Sequence, residues 1–190
     1  RQRQMCIRDR YISAMLRRND RNTLVILDRK TGAPIDGKSI RYDEKDNMEV
    51  AGGQWLSGDI FIYRVFIEDG KYRPGYGGDM FLLHMDKPVN ERIWSWRGNY
   101  LKGRGGEKTF GSLSIISVLP NDEDNVLVSL YPWKRRDGGV RPIIYRMQLT
   151  TGNFSRVTVG PGRGAQIMSN TDGTMLGSIV PTPNLGSEYY

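Results

Sequence analysis

Apolar residues occur along the chain in runs of about five to eight, and many runs alternate with polar residues. A period of two bounded by Gly, Asn, Asp and Pro is typical of half-buried β-strands. No segment combines a sustained 3.6-residue apolar period with capping at both ends, so we expect an all-β chain. The predicted strands cover residues 11–17, 23–28, 48–56, 60–67, 80–85, 91–96, 113–119, 126–131, 143–149, 154–159, 165–169 and 174–180.

Two short patterns recur between these strands. A strand end followed by Thr-Gly occurs at 27–32 and again at 147–152, with a weaker copy at 85–88, at intervals of 58 and 62 residues. A polar turn leading into an apolar strand occurs at 57–62, 124–128 and 172–176. Repeated sheet units of this kind predict a partial β-propeller, with about three blades of four-stranded antiparallel sheet over 11–190. A β-sandwich is the alternative, because hairpins alone can produce two repeats.

Residues 1–10 differ from the rest of the chain. They resemble the in-frame translation of a transposase-type sequencing adapter, so we set them aside as a non-native segment. Without them the chain has 24 basic and 20 acidic residues, a balance of +4 instead of +7, and it loses Cys6, its only cysteine. No disulfide, thiolate nucleophile or cysteine metal site is then expected. An adapter junction also predicts that the true N-terminus, with any signal peptide, is missing. We expect 11–190 to be a partial propeller that is incomplete at both ends.

Charge and hydropathy narrow the classes of partner. No apolar run approaches the roughly 20 residues that span a bilayer, so no membrane span is expected. The basic clusters Arg17-Arg18 and Lys134-Arg135-Arg136 fall in predicted turns, where solvated side chains are common. A nucleic-acid interface needs basic residues gathered on one face with aromatic residues for stacking, so no nucleic-acid partner is predicted.

One part of the chain resembles a known family. Residues 119–128 (Leu-Pro-Asn-Asp-Glu-Asp-Asn-Val-Leu-Val), 144–147 (Ile-Tyr-Arg-Met) and Thr151-Gly152 resemble the N-terminal propeller of prolyl-oligopeptidase (S9) family serine peptidases, including dipeptidyl- and acylaminoacyl-peptidase relatives. Residues 50–63, with Gln54-Trp55-Leu56 entering a strand, are similar to another element of that propeller. The resemblance implies a non-catalytic domain that gates peptide access to an α/β-hydrolase domain of the same parent chain.

The chain lacks the catalytic elements of such a peptidase. No Gly-x-Ser-x-Gly motif surrounds Ser112, Ser178 or Ser187, and the single histidine, His84, lies in a predicted strand without a partner motif. We therefore predict no catalytic, cofactor-binding or metal-binding residue, and no cofactor. A hydrolase domain is expected beyond Tyr190. No Glu-Glu pair is present, so specificity for free peptide amino termini has no support.

Three further features have a functional and a structural interpretation. The glycine-rich residues 160–164 (Gly-Pro-Gly-Arg-Gly) are predicted to be a loop between blades, because a phosphate loop needs a following helix. The run 98–106, with Lys102 and Arg104, is a candidate for a loop lining the entrance to a catalytic chamber. Trp55, Trp94, Trp96 and Trp133 are interpreted as packing residues, since a binding platform would need several of them exposed on one face.

Two functions remain open from the sequence. The first is the peptide-gating propeller of an S9-type peptidase, and the second is a stand-alone propeller that acts as a binding scaffold. Downstream sequence would separate them, since only the first requires Gly-x-Ser-x-Gly followed by Asp and His. Cytoplasm and periplasm are both compatible with the cysteine-free chain.

Overall fold

A computed structural model describes residues 4–7, 10–18, 21–41, 48–67, 75–88, 90–95, 98–100, 108–133, 141–184 and 186–190. These residues form strands, turns and irregular segments and include no helix. The described part of the chain thus has no helix with the length and hydropathy needed to cross a membrane. The all-β prediction is confirmed. The strands are β1 (Gln4–Ile7), β2 (Tyr11–Arg18), β3 (Arg21–Asp28), β4 (Met48–Trp55), β5 (Ile60–Ile67), β6 (Gly75–His84), β7 (Glu91–Trp94), β8 (Asn99–Tyr100), β9 (Lys108–Thr109), β10 (Gly111–Val118), β11 (Asn125–Pro132), β12 (Ile143–Gln148), β13 (Phe154–Val159), β14 (Gln166–Ser169), β15 (Met175–Pro181) and β16 (Ser187–Tyr189).

The strands pair in sequence order into antiparallel sheets. Two sheets have four strands, β4 to β7 and β10 to β13, and two have three strands, β1 to β3 and β14 to β16. The short strands β8 and β9 form a separate pair. Pairing of each strand with its sequence neighbour is the arrangement inside a propeller blade, so these sheets are propeller-like. Two of these sheets have all four strands predicted for a blade.

The chain divides into two compact units, an N-terminal unit, Arg1–Ser95, and a C-terminal unit, Trp96–Tyr190. In the N-terminal unit the sheets β1–β3 and β4–β7 share one core. Residues 33–40 follow β3 as an irregular fourth segment, bridged to it at Leu27–Pro34 and Leu24–Ile40. The buried residues of this shared core are Leu24, Ile26, Val50, Trp55, Phe61, Tyr63, Val65 and Leu83.

In the C-terminal unit the second strand of the sheet is the most enclosed. Residues 126–130 of β11 are all buried, so both faces of this strand are covered, and its sequence is correspondingly a nearly continuous apolar run. The outer strand β13 buries Phe154, whereas 155–158 are exposed. This gradient in burial agrees with the nearly continuous apolar run of β11 and with the three polar residues among the six of β13.

Both repeated sequence patterns occupy equivalent positions in successive sheets. The polar turns at 57–59, 121–125 and 170–173 each join the first strand of a sheet to the second. The turns after β3, β6 and β12 each follow the third strand. The sequence repeat therefore identified true structural equivalents.

The turns after β3 and β12 share one hydrogen-bond pattern. Gly32 N–H donates to Asp28 O and Gly152 N–H to Gln148 O, both at 2.8 Å, and both glycines have φ 68°. The hydroxyl of Thr31 donates to Asp28 Oδ1 at 3.1 Å, and that of Thr151 lies 2.7 Å from Gln148 Oε1. A left-handed φ favours glycine, which explains why Thr-Gly recurs here.

The structure also pairs part of the segment that the sequence sets aside. Residues 4–7 form β1 at the edge of the first sheet, with Gln4 opposite Met15 and Ile7 opposite Ile12. Such pairing uses backbone N–H and C=O groups, which any segment lacking proline can supply to an open edge. The pairing is therefore independent of where these residues originate, and their non-native origin stays a prediction.

Candidate functional site

His84 ends β6 and is enclosed, with 3% of its surface exposed. Burial lowers the pKa of its imidazole; Lys87 and Lys38 act in the same direction, and Asp86 and Glu91 oppose them. Its Nε2 has no hydrogen-bond partner within the described residues. Burial therefore favours the neutral form of this imidazole, and the absence of a catalytic role for His84 stays a prediction.

Lys38 is a second buried polar residue near this strand end. Its ammonium donates to the backbone oxygen of His84 at 2.5 Å and to that of Lys87. Lys38 belongs to the irregular segment after β3, so it joins this segment to the turn after β6. The sequence analysis did not identify it, since a lysine between Gly37 and Ser39 carries no pattern.

The candidate serines lie in strands. Ser112 is in β10, Ser178 in β15 and Ser187 in β16, and none occupies a strand-to-helix turn. Residues 160–164 connect β13 to β14, a strand, so their prediction as a loop between sheets is confirmed. No cluster of three or more His, Cys, Asp or Glu suited to a metal ion occurs in the part of the chain described here.

The tryptophans differ in exposure. Trp94 is fully buried and Trp55 is 7% exposed, which confirms their interpretation as packing residues. Trp133 is 55% exposed, so its interpretation as a packing residue is wrong. Trp96 lies outside the described residues. The reason for the difference is position, because Trp133 follows the last residue of β11, beyond the interior of the sheet.

Trp133 belongs to a small aromatic surface at the start of β10. Its N–H donates to the backbone oxygen of Phe110 at 2.8 Å, which extends the β10–β11 ladder by one pair. Phe110 is 44% exposed, and the indole N–H of Trp133 donates to Ser112 Oγ at 3.2 Å. The ammonium of Lys108 lies 5.4 Å from the centroid of the Phe110 ring, within cation–π range. We call Lys108, Phe110, Ser112 and Trp133 the aromatic platform.

The backbone around the platform fixes its position. Gly98 has φ 95°, and a Cβ there would lie 2.7 Å from Lys108 Cε and 2.8 Å from the Phe110 ring. Gly98 is thus the start of the run 98–106 and lies directly against the platform. Lys102 and Arg104 of that run lie outside the described residues. The loop proposed from the sequence as a chamber entrance therefore begins beside an exposed aromatic pair.

A neighbouring sheet supports the same face. Ser112 is opposite Tyr131 in the ladder, so both side chains lie on the platform face of the sheet. The Tyr131 hydroxyl donates to the backbone oxygen of Ala165, at the start of the sheet β14–β16. The platform is therefore the exposed continuation of a face that is packed further along the strands. The sequence offered one signal for the platform: Phe110 and Trp133 each border a segment rich in lysine and arginine.

Comparisons with known proteins describe the chain only at the level of structure. No family model matches it, and no curated protein sequence is significantly similar to it. TolB from Acinetobacter baumannii aligns over 95% of this chain and 37% of its own, with 14% identity and a TM-score of 0.45. A structure from a study of two prolyl endopeptidases aligns over 100% of this chain and 27% of its own, with 13% identity and a TM-score of 0.49. The chain thus spans about a third of these proteins, and likenesses of this size identify neither family nor function.

Proposed function

We propose that the chain belongs to the propeller of an S9-type serine peptidase and gates peptide access to an α/β-hydrolase domain of the same parent chain. The observation that carries the proposal is the position of the family-like residues. Residues 119–128, 144–147 and Thr151-Gly152 all fall in one four-stranded sheet, as its first turn, second strand, third strand and last turn.

The contacts of the first turn support the same proposal. Asn125 Nδ2 donates a hydrogen bond to Asp122 Oδ1 at 2.8 Å. The guanidinium of Arg146 forms an ion pair with Asp122 Oδ2 at 2.5 Å. Leu149 N–H, directly after β12, donates to Asp124 O at 2.8 Å. Asp122 thus links the turn to Arg146 of β12, and Asp124 links it to the residue that follows this strand.

The test requires the complete parent chain, because the proposed catalytic residues lie outside these 190 residues. We expect a fluorophosphonate probe to label one serine, within Gly-x-Ser-x-Gly. We also expect hydrolysis of peptides of about ten residues and little hydrolysis of an unfolded protein such as reduced casein. Absence of a labelled serine would refute the peptidase assignment. A labelled enzyme that cleaves casein as fast as short peptides would refute gating while leaving the peptidase assignment intact.

A further inference from the structure

We propose that residues 33–40, which we call the strap, form an acid-sensitive latch: Lys38 holds the strap on the turn after β6, and protonation of His84 releases it. The strap is bridged to the first sheet and the turn belongs to the second, so the latch joins the two sheets of the N-terminal unit. The proposal is independent of the peptidase assignment, because it rests on contacts within this unit alone.

The strap is attached to β3 more loosely than a ladder strand. Ile35 N–H donates to Ile26 O at 2.8 Å, and Leu24 and Ile40 exchange two hydrogen bonds, at 2.9 and 2.8 Å. Gly37, with φ 69°, bends the chain within the strap. β6, in contrast, is paired on both sides, with β5 and β7. Segments with few ladder bonds open at a lower free energy than paired strands, so we expect the strap to open before β6 does.

Lys38 provides the hydrogen bonds that join the strap to the second sheet. Its ammonium donates to His84 O at 2.5 Å and to Lys87 O, and the residue is 7% exposed. A buried ammonium is stable only while its acceptors remain in place, because a buried charge without partners is costly. A change that disturbs either carbonyl therefore favours exposure of Lys38 and release of the strap.

The imidazole of His84 lies where an added proton is unfavourable. The residue is 3% exposed, and its Nε2 has no hydrogen-bond partner within the described residues, so an N–H at this atom lacks an acceptor there. The proton also adds a positive charge to the residue whose carbonyl binds the ammonium of Lys38. Opening of the latch lets water reach both cations, which relieves both costs.

The charged groups around His84 do not remove this preference. Within the described residues they come from its own turn, from β7, from the strap and from the turn before β5, and they are Asp86, Lys87, Glu91, Lys38 and Asp59. Burial is the largest cause that holds the pKa of the imidazole below the ordinary 6.5. Lys87 and Lys38 act in the same direction. Asp86 and Glu91 oppose them, and Asp59 contacts the turn through its backbone oxygen, which accepts the Met85 N–H at 2.9 Å.

The sign of the pH dependence follows from this lowered pKa. Opening returns the imidazole to water, where its pKa is the ordinary 6.5, so the open form binds the proton first as the pH falls. The latch is therefore fully closed above about pH 7 and is weakened below pH 6.5. One proton changes the opening equilibrium by at most about tenfold per pH unit.

Hydrogen exchange of the whole 190-residue chain measures opening of the strap. Mass spectrometry at pH 7.5 and 5.5, with and without 0.5 M urea, gives protection factors corrected for the intrinsic exchange rate. We expect protection of the strap to be lower than that of β5 and to fall by at least threefold, and at most about tenfold, from pH 7.5 to 5.5. Urea should leave exchange of the strap unchanged and accelerate exchange of β5, because a local opening exposes little surface.

Variants then test the two residues of the latch. His84→Gln has no group that titrates in this range, so protection of its strap should not depend on pH. Lys38→Met should lower protection of the strap at pH 7.5 by about tenfold, because two carbonyl oxygens lose their donor. Lys30→Met is the matched control, since it removes an exposed lysine from the turn before the strap and should change nothing.

Each alternative outcome refutes the proposal. Protection of the strap that is independent of pH, or that falls equally in His84→Gln, removes the role of His84. Equal protection and equal urea dependence of the strap and β5 mean that the strap opens only when the whole unit unfolds. An unaffected Lys38→Met variant removes the role of Lys38, and if this variant does not fold, the unsubstituted chain and His84→Gln still decide the outcome.

Discussion

The two units use the same strands and turns but enclose their apolar side chains differently. In the N-terminal unit Trp55 stacks on Tyr11 with centroids 5.8 Å apart and meets the edge of Phe61 at 5.1 Å, inside a core shared by two sheets. Among the residues whose burial is described, seven large apolar side chains are exposed in the C-terminal unit, against Leu16 alone in the N-terminal unit. The seven are Phe110, Trp133, Val157, Met168, Leu176, Tyr189 and Tyr190. Strand pairing therefore does not determine which sheet faces are covered.

The hydrogen bonds between sheets also differ between the two units, in the charge of the donor and in the number of carbonyl groups that it contacts. The N-terminal unit uses a buried ammonium, Lys38, which donates to two backbone carbonyls. The C-terminal unit uses one phenol, Tyr131, which donates to one carbonyl. Removing a buried charged donor leaves more unsatisfied groups than removing a hydroxyl. We therefore expect the N-terminal unit to be the more sensitive of the two to substitution.

The largest effect is expected in the shared core. Phe61→Ala removes a ring that is 1% exposed and packed on Trp55, and it should lower the free energy of unfolding by about 3–5 kcal/mol. Leu176→Ala, at a position that is 67% exposed, should change it by less than about 0.5 kcal/mol. Guanidinium unfolding followed by circular dichroism measures both. Equal costs for the two variants would contradict the contrast in enclosure.

The next effect separates the two polar contacts. Lys38→Met leaves the backbone oxygens of His84 and Lys87 without their donor and should cost about 2–3 kcal/mol. Tyr131→Phe should cost about 1 kcal/mol, because one neutral hydrogen bond is lost. Lys30→Met, at an exposed turn position, is the control for loss of a lysine charge. If Lys38→Met lowers the free energy of unfolding no more than Lys30→Met does, the hydrogen bonds of Lys38 do not stabilise the N-terminal unit.

A pH effect is expected from His84. Burial keeps the pKa of its imidazole below the ordinary 6.5, so the unfolded chain binds the proton first as the pH falls. The stability that depends on the neutral ring is complete above about pH 7 and declines below pH 6.5, by at most about 1.4 kcal/mol per pH unit. Urea unfolding of the unsubstituted 190-residue chain and of its His84→Gln variant at pH 7.5 and 5.5 measures how the free energy of unfolding of each depends on pH. Since His84 is the only histidine, a parent and variant with parallel pH profiles would contradict the prediction.

The smallest effect on stability is expected in the Thr-Gly turns, which the two units share. Gly32→Ala and Gly152→Ala each place a Cβ at φ 68° and should each cost about 1 kcal/mol. Gly58→Ala, where a Cβ would meet nothing within 4 Å and φ is not left-handed, should cost less than half of that. Thermal unfolding midpoints are sufficient to rank the three. A marked difference between Gly32→Ala and Gly152→Ala would mean that the two turns are not equivalent.

The sequence by itself predicted the all-β class, most of the strands and the equivalent turns. These follow from local causes: alternation sets the buried side of a strand, and Thr-Gly after Asp28 or Gln148 fits a left-handed turn. β16 was missed because edge pairing depends on backbone groups and leaves little pattern in the side chains, whereas β1 lies in the residues that were set aside as non-native. The bounds of β6 were also too short, since Gly75–Asp79 lacks an apolar run.

The tertiary structure decided which side chains are buried and which are exposed. Trp55 and Trp133 both stand at or just beyond the end of a strand, yet one is enclosed by a second sheet and the other faces solvent. Phe110 and Trp133, separated by 23 positions, become neighbours only because Gly111 pairs with Pro132 and the Trp133 N–H donates to Phe110 O. Burial and charge density depend on contacts between distant parts of the chain, and a local pattern does not contain them.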